Sequence, residues 1–404
     1  MMSSDFASRG DRVLSPVLGH YTRLNIVSGK GSYLYTPDGT AYLDFSAGIA
    51  VASTGHCHPK VVSAIQAQCA QLIHACAGVV YYGPNVTLAE RLGEILGNNL
   101  NSVFFTQSGT EAIEACIKLA KYVTKKPGIL AFEGGFHGRS LGALSLTTSK
   151  LKYRDGYAPL LDHTHFFPYP HTDTSDDLTR YFETLPDTVG AVIIEPVLGE
   201  GGYVPAPTPF LKRLRELCDA RGLLLIFDEI QTGFGRTGSW FDFQNHHVVP
   251  DIIALAKGIA SGMPLGACVS RPDLMAKWST GAHGGTYGGN PVSCAAGVAT
   301  IEVIAEILPA VLEKSKLAEI QLREALSDHE LIRDIRVKGL MIGIELRDAA
   351  LTKQIMTACL EKHVIVVSCG IHDNVIRIMP PLTISFDELT HGISCLIEVL
   401  NAHR

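Results

Sequence analysis

The chain has 404 residues, of which 46% are hydrophobic and 18% charged, and its formal net charge is −6. That much apolar material builds a large core in two or three domain-sized units and excludes a disordered chain. The negative balance and scattered Lys and Arg exclude a general nucleic-acid binder, which needs a basic face.

In chain order, Met1–Arg12 is polar and has no apolar signal core. Tyr33–Phe45 reads as strand–turn–strand around Thr36-Pro37-Asp38-Gly39. Strands are then expected at Ser102–Thr106, Gly128–Phe132, Ala143–Thr147, Ala191–Glu195, Leu223–Asp228, Ile252–Ala256 and Ala267–Ser270, with helical patterns between them. Val192-Ile193-Ile194 and Leu223–Phe227 lack polar alternation, as strands buried on both faces of a parallel or mixed α/β sheet do. From about residue 300 the pattern predicts helices over Cys294–Ile307 and Pro309–Ser327. Strands follow at Ile335–Leu346, Val364–Val367 and Val375–Met379, and a last helix runs roughly Ser385–Ala402. The expected organisation is a large domain over 46–300 and a smaller α+β domain over 301–404, joined by the N-terminal segment 1–45. Ten cysteines without a C-x-x-C pair read as reduced thiols in a cytoplasmic protein. Apolar runs such as Gly222–Phe227 are far short of a membrane span, so neither membrane nor nucleic acid is an expected partner.

Three places carry chemistry. Thr106-Gln107-Ser108-Gly109-Thr110-Glu111 joins a strand to a helix, with Ser108 and Glu111 at capping-box spacing. Such a helix start binds phosphate through free N–H groups or is simply a cap. Asp228 ends an apolar strand, where an acid faces a ligand crevice or caps a helix. Lys257 follows another apolar strand; a desolvated lysine there has a lowered pKa and can form a Schiff base. A phosphate cradle, an acid and a lysine at strand ends are together the three grips that pyridoxal 5'-phosphate requires. His56 and His58 are spaced like metal ligands but lack an evident third ligand, so no metal site is expected.

With these residues in view, the chain resembles the class III, fold-type-I aminotransferases from about Gly31 to the C-terminus. The motifs include Gly48-Ile49-Ala50-Val51, Gly55-His56-Cys57-His58-Pro59-Lys60, Ser108-Gly109-Thr110-Glu111-Ala112, Phe136-His137-Gly138-Arg139 and Glu195-Pro196-Val197. They continue through Gly199-Glu200-Gly201-Gly202, Asp228-Glu229-Ile230-Gln231-Thr232-Gly233, Gly235-Arg236-Thr237-Gly238, Lys257-Gly258 and Gly285–Pro291. The resemblance implies a large domain with a mostly parallel seven-stranded sheet flanked by helices, and a smaller α+β domain. It implies Lys257 as the Schiff-base lysine and proton carrier, and Asp228 on the pyridine nitrogen. Gln231 falls near the phenolic oxygen, Gly109 and Thr110 on the phosphate, and Phe136 over the ring; His137 reads as a structural hydrogen-bonder. Thr286 would reach the phosphate from a neighbouring subunit, which makes a homodimer with a shared active site.

On the substrate side the resemblance gives Ile49, Arg139, Glu200 and Arg377. Arginine suits the task because its planar fork binds carboxylate bidentately. Arg139 would hold the carboxylate distal to the reacting amine, and Arg377 the α-carboxylate of glutamate. Glu200 would mask Arg377 when no α-carboxylate is present. Gly284-Gly285-Thr286-Tyr287 and Ser368-Cys369-Gly370 are close to the 4-aminobutyrate branch. The implied reaction moves the terminal amine of 4-aminobutyrate, or a similar ω-amino acid, to 2-oxoglutarate. Acetylornithine or ornithine transamination is the alternative, with a racemase or decarboxylase on the same scaffold beyond it.

Overall fold

Short apolar segments assemble the central sheet: β1 (Ser102–Thr106), β2 (Gly128–Phe132), β3 (Thr164–Phe167), β4 (Val189–Ile194), β5 (Leu224–Asp228), β6 (Ile252–Leu255) and β7 (Gly266–Ser270). Their order across it is β1-β7-β6-β5-β4-β2-β3. β7 runs antiparallel to both neighbours, and every other pairing is parallel. The computed structural model describes residues 5–404; Met1–Ser4 lie outside that description, and Phe6–Val13 forms a short helix with no buried residue.

One expected strand is a helix. Ala143–Thr147 falls largely in a turn and a half of helix, Leu141–Leu146, with Gly142 to Leu146 all buried. An apolar segment enclosed on every side has no polar alternation to distinguish strand from helix. Leu-Gly-Ala-Leu-Ser-Leu also lacks the β-branched residues that favour a strand. The missed strand is β3, Thr164-His165-Phe166-Phe167, at the sheet edge and only partly buried.

Apolar clusters cover both sheet faces, one including Leu130, Phe132, Phe210 and Phe227, the other Ile113, Ile129, Ile193 and Ile226. The helix Gly109–Thr124, here α1, supplies Ala112, Ile113, Cys116, Leu119 and Ala120 to the second.

The C-terminal part has its own core. The two helices expected around Pro309 are one, α2 (Pro291–Leu326), of 36 residues. Proline removes one backbone donor. Val303 and Ile304 before it, and Val311 and Ala318 after it, are buried, so both halves are held against neighbours. α2 is long and apolar enough to cross a membrane by length and composition, which the short apolar runs did not suggest. In the fold it packs against helices Pro59–Gln71, Gly83–Leu96 and Phe386–Ala402. The expected strand Ile335–Leu346 is a hairpin, Ile332–Lys338 with Met341–Leu346. Gly339 turns it at φ +60°, where a Cβ would collide with the Arg236 carbonyl. Val375–Ile378 and Val367–Cys369 complete an antiparallel sheet. Ser28–Lys30, Tyr33–Tyr35 and Ala41–Asp44 form a mixed sheet with Val364–Ile365, which runs parallel to Ala41–Asp44.

Candidate active site

The chemistry-bearing residues gather beyond the carboxyl ends of the parallel strands, where open α/β sheets bind ligands. They line a cavity of about 440 Å³ that includes Gly109, Phe136, Asp228, Gln231 and Lys257.

At one end, Ser108 caps α1. Its hydroxyl accepts the Glu111 N–H at 3.4 Å, and Glu111 Oε2 accepts the Gln107 N–H at 2.8 Å, one residue beyond an ordinary capping box. The Gly109 and Thr110 amides, at the first two helical positions, have no intrahelical partner and carry the positive end of the helix dipole. The Thr110 hydroxyl is committed elsewhere. It accepts the Ser140 N–H at 3.1 Å and meets Ser140 Oγ at 2.6 Å, while Ser140 donates its own proton to Glu114 Oε1. Thr110 therefore offers an anion its backbone amide. Gly138, at φ +138°, lets the chain pass, because a Cβ there would strike the Thr110 side chain.

In the centre, Asp228 Oδ2 faces His137 Nδ1 at 2.8 Å and Oδ1 accepts the Ile230 N–H at 3.1 Å. Both side chains are buried. Burial works against a charged imidazole, but the adjacent carboxylate more than offsets it, so His137 titrates above its usual value. Glu195, at the end of β4, accepts the Phe136 N–H at 2.7 Å and the Gly199 N–H at 2.8 Å. Burial, with Asp228 nearby, pushes its carboxyl up to about 7. Lys257 follows β6 at φ +44°, a left-handed conformation unusual outside glycine. Burial first, and Arg377 second, lower its amine to about 8.

Attachment of a carbonyl compound to Lys257 needs the neutral amine. Protein stripped of any bound aldehyde should therefore attach pyridoxal 5'-phosphate faster as pH rises through about 8. Stopped-flow absorbance checks this, and a midpoint near the ordinary lysine value would contradict the lowered pKa.

At the other end stand the arginines. Arg139 is exposed, its guanidinium over the Tyr153 ring at 4.6 Å; Tyr153 meets Phe136 edge-on at 5.7 Å. Arg377, buried on Val375–Ile378, does not itself line the cavity but reaches it through Glu200, whose Oε2 lies 3.1 Å from Arg377 Nη1. Burial would raise the Glu200 carboxyl, but Arg377 and Lys150 hold it below its usual value. Tyr21 Oη also lies 3.5 Å from Arg377 Nη2.

Two expected residues stand apart. Thr286 is exposed on the segment before α2, outside the cavity. Ile49 is exposed, at φ +64° within a run of left-handed residues, and its neighbour Val51 lines the cavity instead. His56 Nε2 pairs with Asp44 at 2.8 Å, and the His58 ring accepts the Lys60 N–H at 3.3 Å. Sequence reading quoted Glu195 within a motif but gave it no role, although it stands at a strand end like Asp228, and it did not single out Lys150 or Tyr153.

The residues present fit a phosphate-bearing pyridine aldehyde. Free amides at a helix start, a buried acid and a lysine of lowered pKa face one cavity. Gln231 Oε1, buried at its wall, has no hydrogen-bond partner among the described residues. Fold and site together define a fold-type-I, pyridoxal-phosphate-dependent transaminase. The chain belongs to the class III aminotransferase family, whose model matches residues 16–400. It is 42% identical over 381 residues to an acetylornithine aminotransferase of Methanopyrus kandleri, covering 94% of this chain and 95% of that one. It is 36% identical over 402 residues to the 5-aminovalerate aminotransferase DavT of Pseudomonas putida, covering 94% of each. Among solved structures it is similar to the ornithine aminotransferase of Toxoplasma gondii, in a form with partial occupancy of PLP at the active site. There the TM-score is 0.91 at 26% identity, covering 99% of this chain and 95% of that one.

Proposed function

We propose that the protein transfers the terminal amine of N-acetylornithine to 2-oxoglutarate, with unsubstituted ω-amino acids as the second reading. The observation that carries a terminal-amine donor is the Glu200–Arg377 pair at 3.1 Å. While Arg377 is masked, Arg139 is the receptor for the one carboxylate of a donor whose amine lies at the far end. Displacing Glu200 opens Arg377 to the α-carboxylate of 2-oxoglutarate, and Arg139 then takes the distal carboxylate. The 42% identity to an acetylornithine aminotransferase, against 36% to the 5-aminovalerate enzyme, supports reading the acetylated donor ahead of 4-aminobutyrate.

In this reading the Gly109 and Thr110 amides hold the cofactor phosphate, Asp228 the pyridine nitrogen, Gln231 the phenolic oxygen and Phe136 the ring face. Bound pyridoxal phosphate supplies the electron sink that makes the donor C–H acidic. Lys257 Nζ takes that proton from the amine-bearing carbon of the donor. Arg139 fixes the donor so that this carbon meets Nζ. A cytoplasmic homodimer belongs to the same proposal. Ten unpaired cysteines suit a reducing compartment, and exposed Ile73, Val79, Val80 and Tyr81 suit a buried interface that brings Thr286 to a neighbouring site.

Single turnovers of the holoenzyme with acetylornithine, ornithine, 4-aminobutyrate and 5-aminovalerate test the reading. The highest kcat/KM is expected for acetylornithine. A larger value for 4-aminobutyrate or 5-aminovalerate would install the second reading, and conversion of α-amino groups alone would overturn both. In Glu200→Gln, Arg377 is unmasked. Preference for terminal-amine donors over glutamate should fall about tenfold or more, from loss of a largely buried ionic contact. Equal losses in both half-reactions would refute the masking role.

A further inference from the structure

Glu200 is held by more than the arginine it masks. Its Oε2 faces Arg377 at 3.1 Å, whereas Oε1 faces Lys150 Nζ at 2.9 Å and accepts the Tyr153 O–H at 3.0 Å. Lys150 is 7% exposed, where an unpaired lysine is rarely found. It sits just before the turn Leu151–Tyr153 and also pairs with Asp373, in the loop leading to the strand that carries Arg377. Burial opposes its charge, and Glu200 and Asp373 more than restore it.

This arrangement bears on the moment when Arg377 changes partner. A carboxylate left in a buried site without a cation is strongly disfavoured. Were Arg377 the sole counter-ion of Glu200, each arrival of a substrate α-carboxylate would strand it. Instead the two oxygens have separate partners, so loss of Arg377 leaves Oε1 paired. We propose that Lys150 is the positioning residue that keeps Glu200 a paired anion when a dicarboxylate claims Arg377. Lys150 thereby sets the affinity for the dicarboxylate co-substrate separately from that for the terminal-amine donor. The inference rests on the Glu200 masking described above.

Asp373 shares Lys150 and is partly exposed, with its side chain 43% accessible. Removing its charge commits Lys150 more fully to Glu200, so the two substitutions act in opposite directions.

The test uses the holoenzyme, with glutarate as a non-reacting dicarboxylate probe measured by calorimetry. In Lys150→Met, the glutarate Kd and the KM for 2-oxoglutarate should both rise about tenfold or more, as a partly buried carboxylate loses its remaining cation. The donor KM and kcat should stay within about twofold, and Lys150→Arg should recover most of the loss. Asp373→Asn should tighten glutarate by about two- to threefold, a modest effect because that carboxylate is exposed. An equal rise in both KM values, an unchanged glutarate Kd, or weaker glutarate binding in Asp373→Asn would overturn the role. Glu200→Gln, measured in parallel, separates the two failures. If it relaxes donor preference while Lys150→Met does nothing, masking stands and the Lys150 role falls; if it does not, masking itself falls. Should Lys150→Met fail to fold, Lys150→Gln and Asp373→Asn decide the same question.

Discussion

Replacing Lys257 with alanine is expected to leave a folded protein that has lost transaminase activity by ~10⁴-fold or more, the scale set by removing a positioned base that is also the covalent anchor. Folding should survive the change. The lysine is buried and its amine lowered to about 8, so the fold bears the cost of desolvating a charge there, and losing the side chain removes that cost instead of a stabilising ion pair. Thermal unfolding should therefore occur at or above the wild-type temperature. The phosphate and ring contacts proposed above do not involve residue 257. The variant should still bind pyridoxal 5'-phosphate through Gly109, Thr110 and Asp228, but dialysis should remove it, and the absorbance of the lysine-bound form should be absent. Activity within tenfold of wild type, or a cofactor that stays attached after denaturation, would mean that another amine carries the chemistry.

The positions of Lys257 and Asp228 were legible because strand ends mark themselves. Leu224–Asp228 and Ile252–Leu255 are uninterrupted apolar segments, and a charged residue closing such a run has few places to be except the crevice. The geometry around them was less legible. That the Thr110 hydroxyl is already engaged depends on Ser140, thirty residues away. That His137 pairs with Asp228 depends on the segment after β2 reaching past β4 to the end of β5, which one strand's pattern does not encode. Helix Leu141–Leu146 was expected to be a strand and edge strand Thr164–Phe167 was missed, both for want of a readable period. Full burial erases the periodicity that separates helix from strand, and a short half-polar edge strand has little periodicity to begin with. Lys150 left no trace in sequence, since a lysine near Lys152 reads as solvated surface until the fold encloses it.

Asp228→Asn is the second large effect, and it separates electrostatics from shape. The side chain keeps its size, and its oxygen can still accept the Ile230 N–H now made at 3.1 Å. What disappears is the negative charge. A carboxylate beside a pyridine nitrogen favours its protonated form, and without that proton the ring withdraws electrons poorly. We expect kcat in both half-reactions to fall on the order of 10³-fold, comparable to losing a preorganised charge at a reacting centre. The fall should appear in kcat more than in the KM for either substrate, because Arg139 and Arg377 are untouched. His137 reports the same change independently. Its pKa stands above the usual value because Asp228, with Glu195 adding to it, outweighs burial, so in the variant only Glu195 opposes burial and the ring should titrate lower than in the wild type. Imidazole NMR follows that shift without reference to activity. A cofactor analogue methylated on the pyridine nitrogen carries its positive charge permanently, so it should recover a large part of the lost rate in Asp228→Asn and add nothing to wild type. If the analogue gives no recovery while His137 shifts as expected, Asp228 acts by orienting His137 and the ring, and the charge on the nitrogen is not what the enzyme requires of it.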